Sequence, residues 1–308
     1  MLGIGRRQFT AYGIAIALAL GGCSVFPNYE RPNLDIPATW RGDETQSSVW
    51  PLSDWWRGFG SPQLDSLVAE AQAGNLDLAA AAARVREADA QTRIAGAPLL
   101  PAIGLGGGAS RIRQPSTSAS GTTAGKAYTL YDAQISASYE IDFWGKNKAA
   151  LDAAQATAQA SRYSQATVAL TTVTSVAIAY FQILELRDQI AVTEANLASA
   201  QSILQALQAQ EAAGITTALD VAQQETTVAT LQAQIPPLQQ QLRQFINALA
   251  ILIGKPPQVV DIRSGALADL SYPVVAPGLP SEVLARRPDV AMAEAQLQSA
   301  HANITVAR

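Results

Sequence analysis

Residues able to do bond-making chemistry are few in this chain. Its 308 residues include one cysteine, Cys23, and one histidine, His301. A lone thiol cannot close an internal disulfide, and one ligand does not make a metal site. His301 lies in a helix-forming segment, where a solvated side chain is the expected role. Two glycine-rich stretches invite comparison with phosphate loops, and both fail on spacing. GLGGGAS (104–110) lacks the Lys-Ser/Thr pair and leads into a strand-like segment. SGTTAGKA (120–127) is one residue short and has Ala127 where a magnesium-binding hydroxyl is needed. With 25 acidic against 21 basic residues there is no basic excess to hold nucleic acid. The chain is therefore read as a non-enzyme without cofactor, metal or nucleic-acid partner.

The chemistry of Cys23 follows from what precedes it. Arg6 and Arg7 supply a positive region, and Ala11 to Leu20 an apolar one, as in an export signal. That run is short of the roughly 20 residues a membrane span needs. Leu20-Gly21-Gly22-Cys23 resembles the lipobox of bacterial lipoproteins, which makes residues 1–22 a signal peptide and Cys23 a lipidated N-terminus. Ser24 follows where inner-membrane retention would place Asp, so sorting to the outer membrane is expected. Arg6-Arg7-Gln8-Phe9 is also similar to a twin-arginine signal. Residues 23–60 are proline-rich and aperiodic, which suits an extended tether.

Composition and periodicity then set the architecture. Alanine and glutamine dominate, and 15% of residues are charged, a mix suited to long, closely packed helices. A Ser-Pro start at Ser61 opens a helix over 61–98, with Leu64, Ala71, Leu78 and Val85 spaced by sevens. Two strands with an intervening loop are expected over 99–142. In the second, Tyr131, Ala133, Ile135, Ala137, Tyr139, Ile141 and Phe143 alternate with Asp132, Gln134, Ser136, Ser138, Glu140 and Asp142. Period two over that length makes one face apolar and the other polar. It fits a transmembrane strand with Tyr131, Ile135, Tyr139 and Ile141 toward lipid and the polar set toward a wet lumen. In the first strand Leu99, Ile103, Leu105 and Ala109 share a face. A soluble antiparallel sheet is the alternative.

Residues 143–254 read as a long antiparallel hairpin. Val176, Ile183, Ile190, Leu197 and Leu204 form one heptad stripe. Val228, Ile235, Leu242 and Leu249, with Leu231, Leu238, Phe245 and Leu252, form the returning one. The tip falls near 213–221, and a kink is expected at Pro236-Pro237. An irregular segment occupies 255–280. Shifted by 212, residues 281–308 overlay the first helix: Asp77, Ala79 and Ala88 meet Asp289, Ala291 and Ala300. A second repeat starting there, with further strands and a further hairpin beyond Arg308, is expected.

Five motifs in this order carry a family resemblance: WWRGFGSPQLDSLVAEAQAGNLDL (55–78), YEIDFWG (139–145), AGITTALDV (213–221), NALAILIGKPP (247–257) and PGLPSEVLARRPDVAMAE (277–294). The chain resembles the TolC-like outer membrane factor family, and most closely its lipoprotein branch serving multidrug efflux pumps. The resemblance implies a mainly α fold with a few membrane β-strands. A coiled-coil hairpin and two transmembrane strands would be half a protomer of a trimeric, 12-stranded α/β barrel. It implies a homotrimer in outer-membrane lipid, a periplasmic adaptor protein, and an inner-membrane pump of the resistance-nodulation-division type. It makes Ala213, Gly214, Ile215, Thr217, Asp220 and Val221 the adaptor-contacting tip. Asp220 also becomes a candidate entrance lock, or else a simple helix cap.

The function so implied is a passive exit duct for drugs or other small molecules, with cargo chosen mostly by the pump. Two rival functions fit the same sequence features. A type I secretion channel passes polypeptides through the same architecture, and genomic neighbours would separate it. A structural periplasmic lipoprotein would show no conductance and no heat-modifiable trimer.

Overall fold

The computed structural model describes residues 29–33, 35–37, 53–113, 127–262, 265–273 and 279–308. Cys23, the signal segment and the loop at 114–126 lie outside them. In chain order the elements are α1 (Pro62–Gly74), α2 (Leu76–Gly96), β1 (Ala102–Arg113), β2 (Ala127–Ser138), α3 (Lys146–Ala212), α4 (Ala218–Ile253), α5 (Pro280–Arg286) and α6 (Pro288–Ala307). Short 3-10 turns occupy Trp55–Phe59, Pro257–Val259 and Leu267–Asp269. Two compact units result, one built around residues 89–157 and 294–308, the other around 53–88 and 158–293.

The second unit holds the core. Ser61 caps α1, its hydroxyl accepting from the Leu64 amide at 3.2 Å, the role its side chain favours. The buried face of α1 (Leu64, Val68 and Ala71) meets Val176, Tyr180, Ile183 and Leu184 of α3 and Leu249 and Ile253 of α4. One stretch of α3 is long and apolar enough to cross a membrane; one side of it, with Val173, Val176, Tyr180, Ile183 and Leu184, is buried in this protein core, while Ile178 on the other side is half-exposed. Two adjacent α3 residues pin the irregular segment: Arg187 Nη1 donates to the Ile262 carbonyl at 2.6 Å. The Leu267 amide donates to Asp188 Oδ2 at 3.0 Å.

Beyond the core the buried stripe on α3 narrows to a seam. Ile190, Thr193, Leu197, Ala200, Leu204 and Leu207 are covered, and the residues between them are exposed. On α4 covered positions recur from Val221 to Phe245 at alternating intervals of three and four. That strict two-in-seven pattern is what two helices packed only on each other produce. Gln224 Nε2 bonds the Ala200 carbonyl across it at 2.9 Å. Helix α4 runs through Pro236 and Pro237. Both prolines are exposed, so the missing amides fall on the outer face and Ile235 and Leu238 keep the seam.

The helix expected over 61–98 is two helices. Asn75 breaks it, its Oδ1 accepting from the Leu78 amide at 2.9 Å and its Nδ2 donating to the Leu252 carbonyl at 2.8 Å. The later pair breaks alike. Gly74 and Arg286 end the first helix of each pair, and Leu76 and Pro288 begin the second, the same offset of 212 that relates the sequences. At the later break Arg287 forks onto Asp289, with Nε–Oδ1 at 3.0 Å and Nη2–Oδ2 at 2.6 Å. The guanidinium holds the Asp289 carboxyl below its ordinary range. His301 is half-buried rather than solvated, edge-on to Tyr29 with ring centroids 5.8 Å apart.

Candidate functional site: a two-faced ribbon and a helical tip

Strands β1 and β2 form one antiparallel ribbon with unbroken register from Ala102–Ser138 to Arg113–Ala127. Opposed residues share a face. Asp132, Gln134 and Ser136 therefore lie on one side, facing Gly108, Gly106 and Gly104. The glycines have a steric reason to be there. A β-carbon at Gly108 would stand 2.7 Å from Asp132 Oδ1, and one at Gly104 2.9 Å from Ser136 Oγ. GLGGGAS thus leaves room for polar side chains to lie across the neighbouring strand. This was readable only once the register was known.

Tyr131 and Ile135 lie on the other face with Ile103 and Leu105. All four are 78–83% exposed, a contiguous apolar surface of the kind that calls for a partner or a lipid phase. Both outer edges of the ribbon carry unpaired backbone groups among the described residues. A ribbon placed in lipid must pair those groups with further strands.

The alternating pattern outruns the strand. β2 ends at Ser138, and Tyr139, Glu140, Ile141 and Asp142 lie beyond it. The next partner on β1 would be Pro101, which has no amide to donate, so the ladder stops. Asp142, expected on the polar face of the strand, instead accepts from the amides of Asn147 (Oδ1, 3.2 Å) and Lys148 (Oδ2, 2.8 Å) and caps α3. Phe143 and Trp144 follow, both strongly exposed, in a turn closed by Gly145 at φ 71°.

At the hairpin tip, α3 ends in a left-handed turn. Gly214 has φ 72°, its amide bonds Glu211 O at 2.8 Å, and Ile215 N bonds Gln210 O at 2.9 Å. That six-residue closure satisfies the last carbonyls of the helix and favours glycine. Thr217 and Asp220 then form a reciprocal capping box that starts α4. Three donors converge on Asp220 Oδ2: Thr217 Oγ1 at 2.6 Å, Thr217 N at 3.0 Å and Thr216 Oγ1 at 2.9 Å. The Thr217 hydroxyl first, then its amide and Thr216, hold the carboxyl below its ordinary range. The tip residues divide. Ala213, Gly214, Ile215 and Thr217 are exposed and Asp220 half-buried. Val221 is 7% exposed and is the first seam residue, so it is not open to a partner as the resemblance implied. Thr216, a further donor to Asp220, is a tip residue the sequence did not single out. Among the described residues no cluster of His, Cys, Asp or Glu could hold a metal ion.

The outer membrane efflux protein family matches residues 67–255. The pyoverdine export outer membrane protein OpmQ of Pseudomonas putida is 43% identical over 301 residues, covering 96% of this chain and 64% of OpmQ. The toluene efflux pump outer membrane protein TtgF of Pseudomonas putida is 32% identical, covering 96% of this chain and 63% of TtgF. The chain thus spans about 64% of the length of its relative OpmQ. The solved outer-membrane channel OprN superposes with a TM-score of 0.81 at 24% identity, over 92% of this chain and 64% of that one, and shares the fold. The matched relatives are export proteins of the outer membrane rather than enzymes. The chain belongs to the outer membrane efflux protein family.

Proposed function

We propose that this chain is a subunit of a passive outer-membrane efflux duct, anchored through a lipidated Cys23. The ribbon turns Tyr131 and Ile135 to lipid, while Asp132, Gln134, Ser136 and Ser138 line a wet lumen. Three copies share the barrel, and the ribbon edges pair with other strands. The carrying observation is the register, which gathers the polar side chains above a glycine column on one face and large apolar ones on the other.

The exposed tip meets a periplasmic adaptor through Ala213, Gly214, Ile215 and Thr217, and energy comes from an inner-membrane pump of the resistance-nodulation-division type. Asp220 caps α4 through Oδ2, and Oδ1 meets the lock partner that keeps the entrance closed. Cargo is a small molecule. Relatives sharing this architecture are named for pyoverdine and for toluene, which supports a choice of cargo made upstream in the pump.

The test is conductance of the protein purified from outer membranes, in planar bilayers, with spin labels at Ile135 and Gln134. Expected are stable channel steps, a lipid-immersed label at 135 and a water-accessible one at 134. Absence of conductance, or a water-exposed 135, overturns the reading.

A further inference from the structure

The apolar face of the ribbon does not stay apolar along its length. Ile103, Leu105 and Ala109 are followed on that face by Arg111 and Arg113, opposite Thr129 and Ala127. On the other face the change runs in reverse, from Ser136, Gln134 and Asp132 to Leu130, Tyr128 and Ile112. The register is unbroken, so no bulge moves the arginines to the polar side. Both arginines are exposed, and among the described residues no hydrogen bond or ion pair engages either one. A strand simply emerging into water would turn polar on both faces. Here charge enters only the column that continues the lipid-facing one.

Position along the strand decides what the charge meets. Arg111 lies about 26 Å beyond Ile103 at ~3.3 Å per residue. Tilted by roughly 40°, that is about 20 Å of height, against an apolar band about 25 Å tall. The arginines stand at the strand ends away from α2 and α3, which join the ribbon at Ala102 and beyond Ser138. A lipid-facing arginine is costly at mid-bilayer and tolerated at the interface, where its stem covers apolar surface and its head reaches polar groups.

We propose that Arg111 and Arg113 form a binding site for the phosphate groups of a phosphorylated glycolipid in the outer leaflet. This rests on the outer-membrane reading above, which sets the helices on the periplasmic side. The two outward-pointing residues are about 7 Å apart along the strand, close enough for both guanidiniums to close on one phosphate. The planar guanidinium fork matches phosphate oxygens, and charge complementarity selects an anionic headgroup. Tyr131 lies one row below, an aromatic ring at the depth where such rings favour the interface.

The test is native mass spectrometry of the assembled protein from outer membranes, titrated with bisphosphorylated lipid A, fully dephosphorylated lipid A or inorganic phosphate. The parent binds the bisphosphorylated lipid and discriminates against the dephosphorylated one. Arg111→Gln/Arg113→Gln weakens binding roughly ten- to thirtyfold, whereas Arg84→Gln/Arg86→Gln, two exposed helix arginines, leaves it unchanged. Equal binding of the two lipids by the parent, unchanged binding by the double variant, or competition by inorganic phosphate at equal concentration overturns the proposal. The lipid comparison needs no variant, so failure of the double variant to assemble leaves it decisive. A parent absent from the outer membrane overturns the duct reading and this site together. A conducting parent indifferent to lipid phosphorylation overturns this site alone.

Discussion

Gly74 and Gly254 meet backbone to backbone, at the end of α1 and just past the end of α4. A β-carbon at Gly74 would stand 2.7 Å from the Ile253 carbonyl oxygen. One at Gly254 would strike the Gly74 carbonyl oxygen, and Gly254 itself holds φ 68°. Neither neighbour is a flexible side-chain end that could swing aside. Gly74→Ala is expected to destabilise by about 1–3 kcal/mol, as overpacking does, and Gly254→Ala by more, because left-handed strain adds to the clash. Denaturant unfolding followed by the helical signal measures both, and a neutral Gly254→Ala would contradict the close approach.

Asn75 serves two helix ends at once. It caps α2 through Leu78 N and satisfies the Leu252 carbonyl near the end of α4. Asn75→Ala strips both partners at a buried site and is expected to cost about 2 kcal/mol. Asn75→Asp keeps the cap but loses the donor to Leu252. It should fall between parent and alanine, and an aspartate variant as stable as the parent would remove the second role.

The buried Ser61 and Tyr180 hydroxyls lie 2.9 Å apart. Tyr180→Phe leaves Ser61 its cap to Leu64, whereas Ser61→Ala uncaps α1 and orphans the tyrosine hydroxyl. Losses of about 1 and about 2 kcal/mol follow in that order. A double-mutant cycle on unfolding free energies would show coupling, and the reverse order would mean the pair is not engaged.

Gly108 and Gly107 are adjacent but face opposite ways. A β-carbon at Gly108 would crowd Asp132 Oδ1 at 2.7 Å, while one at Gly107 makes an ordinary contact of 3.5 Å with the Asp132 carbonyl oxygen. In the proposed duct Gly108→Ala should therefore lower heat-modifiable assembly and alter conductance, and Gly107→Ala should do neither. Equal effects would mean that strand flexibility, rather than room for Asp132, is what these glycines supply.

At the tip the sign of the pH response follows from the bonds to Asp220. Its carboxyl is held below the ordinary value of 3.8, chiefly by the Thr217 hydroxyl. The capping contribution is thus complete above that value and is lost as pH falls through the lower folded-state pKa. Amide exchange over 214–220, compared between pH 7 and the acid limb, should show opening only below pH 3.8. Asp220→Asn should show it already at neutral pH, and protection unchanged in that variant would contradict the capping box.

What could be read from the sequence was whatever its own local periodicity causes. The sevens of Val228, Ile235, Leu242 and Leu249 place those side chains on one helix face, and the covered positions on α4 keep that spacing through Pro236-Pro237. The alternation around Ile135 likewise separates two faces before any partner strand is known, because successive side chains of a strand point oppositely. Ser61, Gly214 and Gly254 mark helix ends through the chemistry of their own side chains or lack of one. The rest was decided between residues far apart in the chain. Leu64, Ala71 and Leu78 read as one continuous helix, yet Asn75 breaks it because Leu252, 177 residues away, offers its carbonyl there. Strand β2 stops at Ser138 although its pattern continues, because the residue across the ladder is Pro101, and Asp142 is left free to cap α3. Only the register revealed that the glycines at 104, 106 and 108 sit under Ser136, Gln134 and Asp132, and that Arg111 and Arg113 continue the apolar face. Periodicity is a property of one segment, whereas a ladder's end, a close backbone approach and a shared face are properties of two.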